Sequence, residues 1–179
     1  MHYLCTGVTL SGKTTLARYF ARHYRSLGKT VIVYDPVGSD TAGGGWGEGA
    51  RVYDEQLAFL DFMHSKDAHS AFVFVDEADE LFSVRDADLH WMFKRGRHFG
   101  LSMWAITQRP KLVAPTVRNQ CGQAFIFRLA QDDMKEIAAD YGHSDLHKLS
   151  LDSGDYLAIT SGTAKFSRGN IFDTLKGSS

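Results

Sequence analysis

Two hydrophobic rhythms run along the chain. Residues 2–6, 30–34, 71–75, 101–107 and 124–129 are short runs dominated by apolar, β-branched or aromatic side chains. Runs of that length with little polar interruption read as strands buried on both faces of a sheet. His2–Thr6 ends at Gly7, and Thr30–Tyr34 is stopped by Asp35-Pro36. Between the runs the period turns helical. Residues 13–27 place Leu16, Ala17, Phe20, Ala21 and Tyr24 on one stripe, with Gly28 where a C-terminal cap belongs. Residues 54–64 carry Leu57, Leu60 and Phe62, and residues 132–141 end at Gly142; both read as helices. Residues 81–99 read as mostly helix with a break near Ser83. Arg51–Tyr53 is a minor strand, and residues 156–160 and 163–166 form a hairpin around Ser161-Gly162. Residues 41–49, TAGGGWGEG, hold five glycines in nine positions and read as a flexible loop.

Strands alternating with helices predict an α/β fold: a mostly parallel sheet covered by helices on both faces, with a C-terminal β-hairpin. A chain of 179 residues is expected to make one domain, 1–175, followed by a frayed tail at 176–179. Apolar residues at 44% and charged residues at 23% are ordinary for a soluble globular protein. Two cysteines, Cys5 and Cys121, exclude a disulfide framework and a four-cysteine zinc site, and fit a reducing cytosol. The eight histidines show no ligand spacing beyond His143 and His147, four apart with no cysteine near. No apolar run reaches the length of a membrane span, and the first residues lack the basic and apolar regions of a signal peptide.

A formal net charge of −1 excludes a wholly basic nucleic-acid coat. The distribution says more. From Leu89 to Gln131 there is no Asp or Glu, yet that stretch carries Lys94, Arg95, Arg97, Arg109, Lys111, Arg118 and Arg128. Part of it is expected to face phosphate, of nucleotide or nucleic acid; the ordinary alternative is pairing with acids from elsewhere in the fold.

Three motifs carry chemistry. Gly7-Val8-Thr9-Leu10-Ser11-Gly12-Lys13-Thr14 fits G-x-x-x-x-G-K-[ST] at a strand-to-helix junction. There, glycines let backbone N–H groups wrap a β-phosphate, and the helix start adds its positive end. Lys13 would reach the β- and γ-phosphates, Thr14 would ligate Mg²⁺, and Thr15 would support the α-phosphate. The apolar run 71–75 then ends in Asp76-Glu77. Asp76 would hold the magnesium through a water, and Glu77 would polarise the attacking water; the plainer alternative is a pair of acids favouring a helix N-terminus. Finally, 101–107 runs into Gln108-Arg109-Pro110. A neutral amide there would bond both water and γ-phosphate and report the phosphate's loss, unless the cluster merely makes the turn before Pro110. Asp76-Glu77-Ala78-Asp79 also spells a helicase box, but those helicases need two such domains.

Taken together, the phosphate loop, the strand ending in Asp-Glu, and 97–110, RHFGLSMWAITQRP, resemble the FtsK–HerA superfamily of ring-forming, DNA-pumping ATPases. Tyr34-Asp35-Pro36 is similar to the Asp-Pro that ends that family's second core strand. The resemblance covers about residues 2–130 and is most similar in size to the packaging ATPases of tailless, membrane-containing icosahedral viruses. It implies a RecA-like additional-strand P-loop fold, ATP and Mg²⁺ as cofactors, and Gln108 as sensor. It also implies that Arg97 reaches a neighbouring subunit's nucleotide; Arg95 lies close enough to exchange roles with it. The partners implied are double-stranded DNA, further copies in a ring, expected to be hexameric, and capsid or portal-vertex proteins, with no direct membrane insertion. The implied place is the host-cell cytoplasm or the virion's packaging vertex. FtsK-type anchors and winged helices and HerA-type barrels are expected to be lacking, which would make the chain a bare motor.

DNA contacts are expected at Arg109, Lys111 and Arg118, and at Trp46 in the glycine-rich loop; packing at a subunit joint is the alternative for Trp46. Trp91, Phe93 and Phe99 read as helix packing. Three competing functions stay open. A filamentous-phage assembly ATPase resembling zonula occludens toxin shares the Arg-His-x-Gly and Thr-Gln strings, but usually carries a transmembrane helix. A thymidine-kinase-like nucleoside kinase shares the loop and the Asp-Glu strand, but needs a zinc lasso of cysteine pairs. A non-hydrolysing switch conflicts with having both Glu77 and Gln108.

Overall fold

The apolar runs assemble into one eight-stranded sheet. The computed structural model describes residues 1–38, 45–163 and 165–176. In chain order its strands and α-helices are β1 (His2–Thr6), α1 (Lys13–Ser26), β2 (Thr30–Tyr34), β3 (Arg51–Tyr53), α2 (Gln56–Met63), β4 (Ala71–Val75), α3 (Ala78–Leu81), α4 (Trp91–Lys94), β5 (Ser102–Thr107), α5 (Pro115–Arg118), β6 (Cys121–Ile126), α6 (Gln131–Asp140), β7 (Asp155–Thr160), β8 (Phe166–Asn170) and α7 (Ile171–Lys176). The sheet order is β3-β2-β4-β5-β1-β6-β7-β8. The six strands from β3 to β6 are parallel, while β7 and β8 close the sheet's end as an antiparallel pair.

Strand side chains alternate between two cores, as a period of two requires. Leu4, Ile32, Val73, Met103 and Ala124 point to one face, under α2–α6. Cys5, Val31, Val33, Phe74, Trp104 and Phe125 point to the other, with Leu16, Ala17 and Ala21 of α1 and Ile171 of α7. The α1 face is an aromatic slab. Trp104 stacks on Tyr3 at 4.4 Å, on Phe74 at 5.2 Å and on Phe125 at 5.4 Å, and Phe20 of α1 meets it at 5.0 Å. Rings in these offset arrangements contribute roughly 0.5–1.5 kcal/mol per pair beyond area burial.

Several boundaries differ from the sequence reading; β6, read over 124–129, runs over Cys121–Ile126. Residues 81–99 form a string of short turns rather than mostly helix: α3, a 3₁₀ turn over Ala87–His90, α4, and a 3₁₀ turn over Gly96–Phe99. Ser83 explains the first break. Its hydroxyl bonds the Asp86 carboxylate and accepts the Arg85 amide at 3.2 Å, while His90 Nε2 lies 2.9 Å from its carbonyl. Such local bonds compete with the helical ladder. The last strand runs over Phe166–Asn170 instead of 163–166, because pairing sets Ile159 opposite Phe166 and Asp155 opposite Asn170. Lys176 ends α7, while 177–179 lie outside the described residues, as does 41–44 of the predicted glycine loop.

His2 begins β1 at 1% exposure. Its Nδ1 accepts the Met103 N–H at 3.0 Å, and its ring meets Phe93 edge-on at 5.3 Å. Burial pushes its pKa down to about 4. A base whose folded pKa is depressed holds its full stability above the unfolded value near 6.5 and loses it as pH falls through the window down to about 4. By pH 4.5 this group alone is expected to cost about 2–3 kcal/mol. His2→Asn keeps an acceptor for Met103 without titrating, so its urea-unfolding stability should fall less steeply than wild type between pH 7 and 4.5. Parallel curves would remove His2 from the acid response.

Candidate functional site

Parallel strands deliver their carboxyl ends to one edge of the sheet, and there the three motifs meet. After β1 the backbone turns through a loop held on both sides: the Gly7 N–H bonds Thr107 O of β5 at 3.3 Å, and the Val8 N–H bonds Arg128 O, just past β6, at 2.9 Å. Gly7 has no room for a side chain, since a Cβ there would lie 2.5 Å from Ser11 Oγ and 2.6 Å from Phe127 Cβ. Gly12 turns into α1 at φ 107°, a left-handed conformation that favours glycine. The first turn of α1 contains Lys13, Thr14 and Thr15 and no acid, so nothing on the helix cancels its positive end.

The loop borders a cleft of about 380 Å³ that also takes in Arg18, Asp35, Asp76, Glu77 and Gln108. Thr14 Oγ1 donates to Asp76 Oδ2 at 3.2 Å, so the two oxygens expected to share a cation already touch. Asp76 is 7% exposed. Burial pushes its carboxyl up to about 6, against the pull of the Glu77 N–H (3.0 Å) and the Lys13 ammonium. A hydroxyl and a buried carboxylate are hard oxygen donors and fit Mg²⁺, which is commonly held by one or two protein oxygens with phosphates and water. Among the described residues no cluster of three His, Cys, Asp or Glu side chains forms a metal cage of its own.

Glu77 follows Asp76 at φ 49°, ψ 48°, left-handed for a residue with a side chain. Such a conformation costs on the order of 1–3 kcal/mol and persists only where its surroundings enforce it. Gln108 supplies one restraint: its Nε2 donates to Glu77 Oε1 at 3.0 Å, and its Oε1 accepts from Thr9 Oγ1 at 2.6 Å. One residue earlier, the Thr107 hydroxyl donates to Asp79 of α3, tying the end of β5 to the acidic turn.

Other expected site residues lie elsewhere. Arg97 and Arg95 precede β5, whereas Gln108 follows it, so the six-residue strand of roughly 20 Å separates them from the cleft of their own chain. Arg109 and Lys111 stand beyond Gln108 and flank Asp133, at 3.4 and 3.8 Å. The expectation of DNA contact fails for two residues. Arg118 is 3% exposed and consumed by bonds to Glu136, to Asp140 (2.7 Å) and to the Pro110 and Val113 carbonyls (3.0 and 3.1 Å). Trp46 is 5% exposed, donates Nε1–H to Asp35 Oδ2 at 2.9 Å and packs on Phe74. Both are packing residues. The sequence reading missed Arg18, which faces the cleft between Asp35 (3.4 Å) and the Trp46 ring (5.2 Å to its centroid). Its spacing five residues after Lys13, on the helix that opens the site, was the available signal.

No family model and no curated protein matches the sequence. Solved structures do match in fold. The genome packaging NTPase B204 of Sulfolobus turreted icosahedral virus 2, in complex with AMPPCP, superimposes with a TM-score of 0.75 at 19% identity, covering 94% of this chain and 96% of that one. The pCW3 conjugation coupling protein TcpA gives 0.75 at 16% identity over 99% of this chain and 65% of that one. The cytoplasmic domain of the type VII secretion ATPase EccC from Thermomonospora curvata gives 0.63 at 17% identity, with 94% of this chain and 25% of that one. The chain therefore has the P-loop NTPase fold of these structures, with its phosphate loop at the first strand-to-helix turn.

Gly7→Ala is expected to break the cradle while leaving the sheet intact. Overpacking of this kind costs roughly 1–3 kcal/mol. Affinity for a fluorescent ATP analogue should fall at least about tenfold, the equivalent of 1.4 kcal/mol. Unchanged affinity would show that the loop accommodates a Cβ and that the close approach is not functional.

Proposed function

We propose that the chain is an ATP-hydrolysing motor that moves double-stranded DNA, and that the DNA is a viral genome being packaged into a preformed capsid. One observation carries the reading: a phosphate loop, a Thr14–Asp76 oxygen pair and a Glu77–Gln108 pair converge on one cleft. In this reading Gly7 to Thr15 wrap the triphosphate, and Lys13 neutralises its β- and γ-oxygens. Thr14 and Asp76 would hold Mg²⁺, which when bound would offset negative charge on the triphosphate. Glu77 takes the proton of the attacking water, and Gln108 orients that water while bonding the γ-phosphate. Support for the finer reading comes from B204, described as a genome packaging NTPase and matched over nearly its whole length.

Arg97 stands at the opposite end of β5 from its own cleft. A role at a nucleotide is then open to it only across a joint between copies, which favours a head-to-tail ring, with six the expected number. There a guanidinium stabilises transition-state charge and couples one site to the next. Arg109 and Lys111 remain as exposed cations for sequence-independent contact with DNA phosphates. Portal or capsid proteins would supply the docking platform, at the packaging vertex or in the host cytoplasm. Among the described residues no helix is long and apolar enough to cross a membrane.

Turnover of ATP should rise with long duplex DNA of any sequence, and the rise should shrink as salt increases. Indifference to DNA, or phosphate transfer to a nucleoside, would favour the kinase reading. Glu77→Gln should keep ATP binding while turnover falls by about 10²-fold or more. Arg97→Ala should bind ATP yet hydrolyse it poorly, and mixing with Lys13→Ala subunits should restore activity, because an intact arginine then meets an intact loop. A clear defect that mixing never rescues would argue against action across the joint.

A further inference from the structure

We propose that Thr9 is a positioning residue: its hydroxyl tethers the Gln108 amide to the phosphate loop and so keeps the amide NH₂ aimed at Glu77. This inference rests on the hydrolytic reading above and deepens it. The sequence places Thr9 in the loop only as part of the phosphate cradle. The structure turns its side chain to the end of β5, where Oγ1 donates to Gln108 Oε1 at 2.6 Å. From the other end of the same amide, Nε2 donates to Glu77 Oε1 at 3.0 Å. The amide is therefore held at two points, one on the loop after β1 and one on the turn after β4.

The orientation matters because an amide has two unlike ends of nearly equal shape. An ionised Glu77 accepts hydrogen bonds and donates none, and the same is true of a γ-phosphate. Only an amide with its NH₂ toward the acids serves either partner. The reversed amide would set its oxygen against both. A glutamine has three rotatable bonds, so a single bond to Glu77 leaves it free to swing when that carboxylate turns to water. The Thr9 hydroxyl removes that freedom. It keeps the amide oxygen occupied and the NH₂ directed inward whether Glu77 or phosphate is the acceptor. Thr9 is itself exposed, so its side chain contributes little to the core.

Thr9→Val removes the hydroxyl at nearly constant shape and leaves every backbone N–H of the loop in place. The expected result is a fall in kcat of about three- to tenfold, the size of one hydrogen bond, with KM for ATP changed less than about twofold. Thr9→Ser should return kcat to near wild type. In a double-mutant cycle, Thr9→Val added to Gln108→Ala should cost nothing further, since the tether has no amide to hold. A rise in KM at unchanged kcat, or additive losses in the double mutant, would overturn the proposal and make Thr9 a nucleotide contact only.

A second readout needs no turnover. In nucleotide-free protein labelled with ¹⁵N-glutamine, the Gln108 side-chain NH₂ pair is identified by its loss in Gln108→Ala. Thr9→Val should move that pair toward the shifts of a free glutamine and sharpen it, while Thr9→Ser should leave it in place. A pair that ignores Thr9→Val overturns the tether whatever the enzyme does. A wild type that never hydrolyses ATP would remove the ATPase reading and leave the amide signal to decide the tether alone.

Discussion

The position of β5, between β1 and β4, is the constraint on which the site depends. Adjacent strands stand about 4.8 Å apart, so one interposed strand sets the ends of β1 and β4 roughly 10 Å apart, and the first turn of α1 reaches across that interval until Thr14 meets Asp76 at 3.2 Å. If β4 paired directly with β1, no strand would end between the loop and the acidic turn to carry Gln108. β5 also fills the floor of the gap it creates, because its carboxyl end presents Gln108 between the two walls. Parallel pairing of all three strands then brings loop, acids and amide to one edge.

The packing that holds β5 in place belongs to the same device. Trp104 lies at the middle of that strand, fully buried, in contact with rings from β1, β4, β6 and α1. One side chain thus keys together the strands that end in the phosphate loop and in Asp76-Glu77, and the helix whose first turn faces the phosphate. Packing at native density leaves such a slab little freedom to shear. The rigidity suits a site whose functional contacts are single hydrogen bonds of about 3 Å. The left-handed Glu77 is one of three non-glycine residues with positive φ among those described, and it sits where β4 leaves this rigid frame.

Local rules made much of this legible in the sequence. Gly7 and Gly12 announce the loop because close approach and a left-handed turn exclude side chains there, and the apolar run before Asp76-Glu77 needs no partner to be read as a buried strand. Gln108 follows from the same logic at the end of β5. What stayed hidden depends on residues distant in sequence. Trp46 looked like the tip of a glycine loop, but Asp35, Arg18 and Phe74 draw it into the core. The break near Ser83 was legible, but the further turns over 87–90 and 96–99 were not, because periodicity does not register where the helical ladder lapses. Thr9 sits inside a recognised motif, so the motif masked what its side chain does.

The acid-free stretch from 89 to 131 shows the same point electrostatically. Read along the chain it is one basic face. In space β5 divides it, with Lys94, Arg95 and Arg97 at the amino end of the sheet and Arg109 and Lys111 at the carboxyl end. Arg118 belongs to neither group. Its acids come from α6, where Glu136 and Asp140 are four residues apart and present both carboxylates to one guanidinium. Removing either acid would leave a buried cation short of a partner, which costs far more than a surface pair contributes. Arg118 therefore fixes α6 against the turn at 110–113, directly behind Arg109 and Lys111, while Asp133 of the same helix faces those two cations. The basic residues past β5 are thus carried on a braced platform, and a braced platform holds its charges in fixed register with the cleft that Gln108 borders.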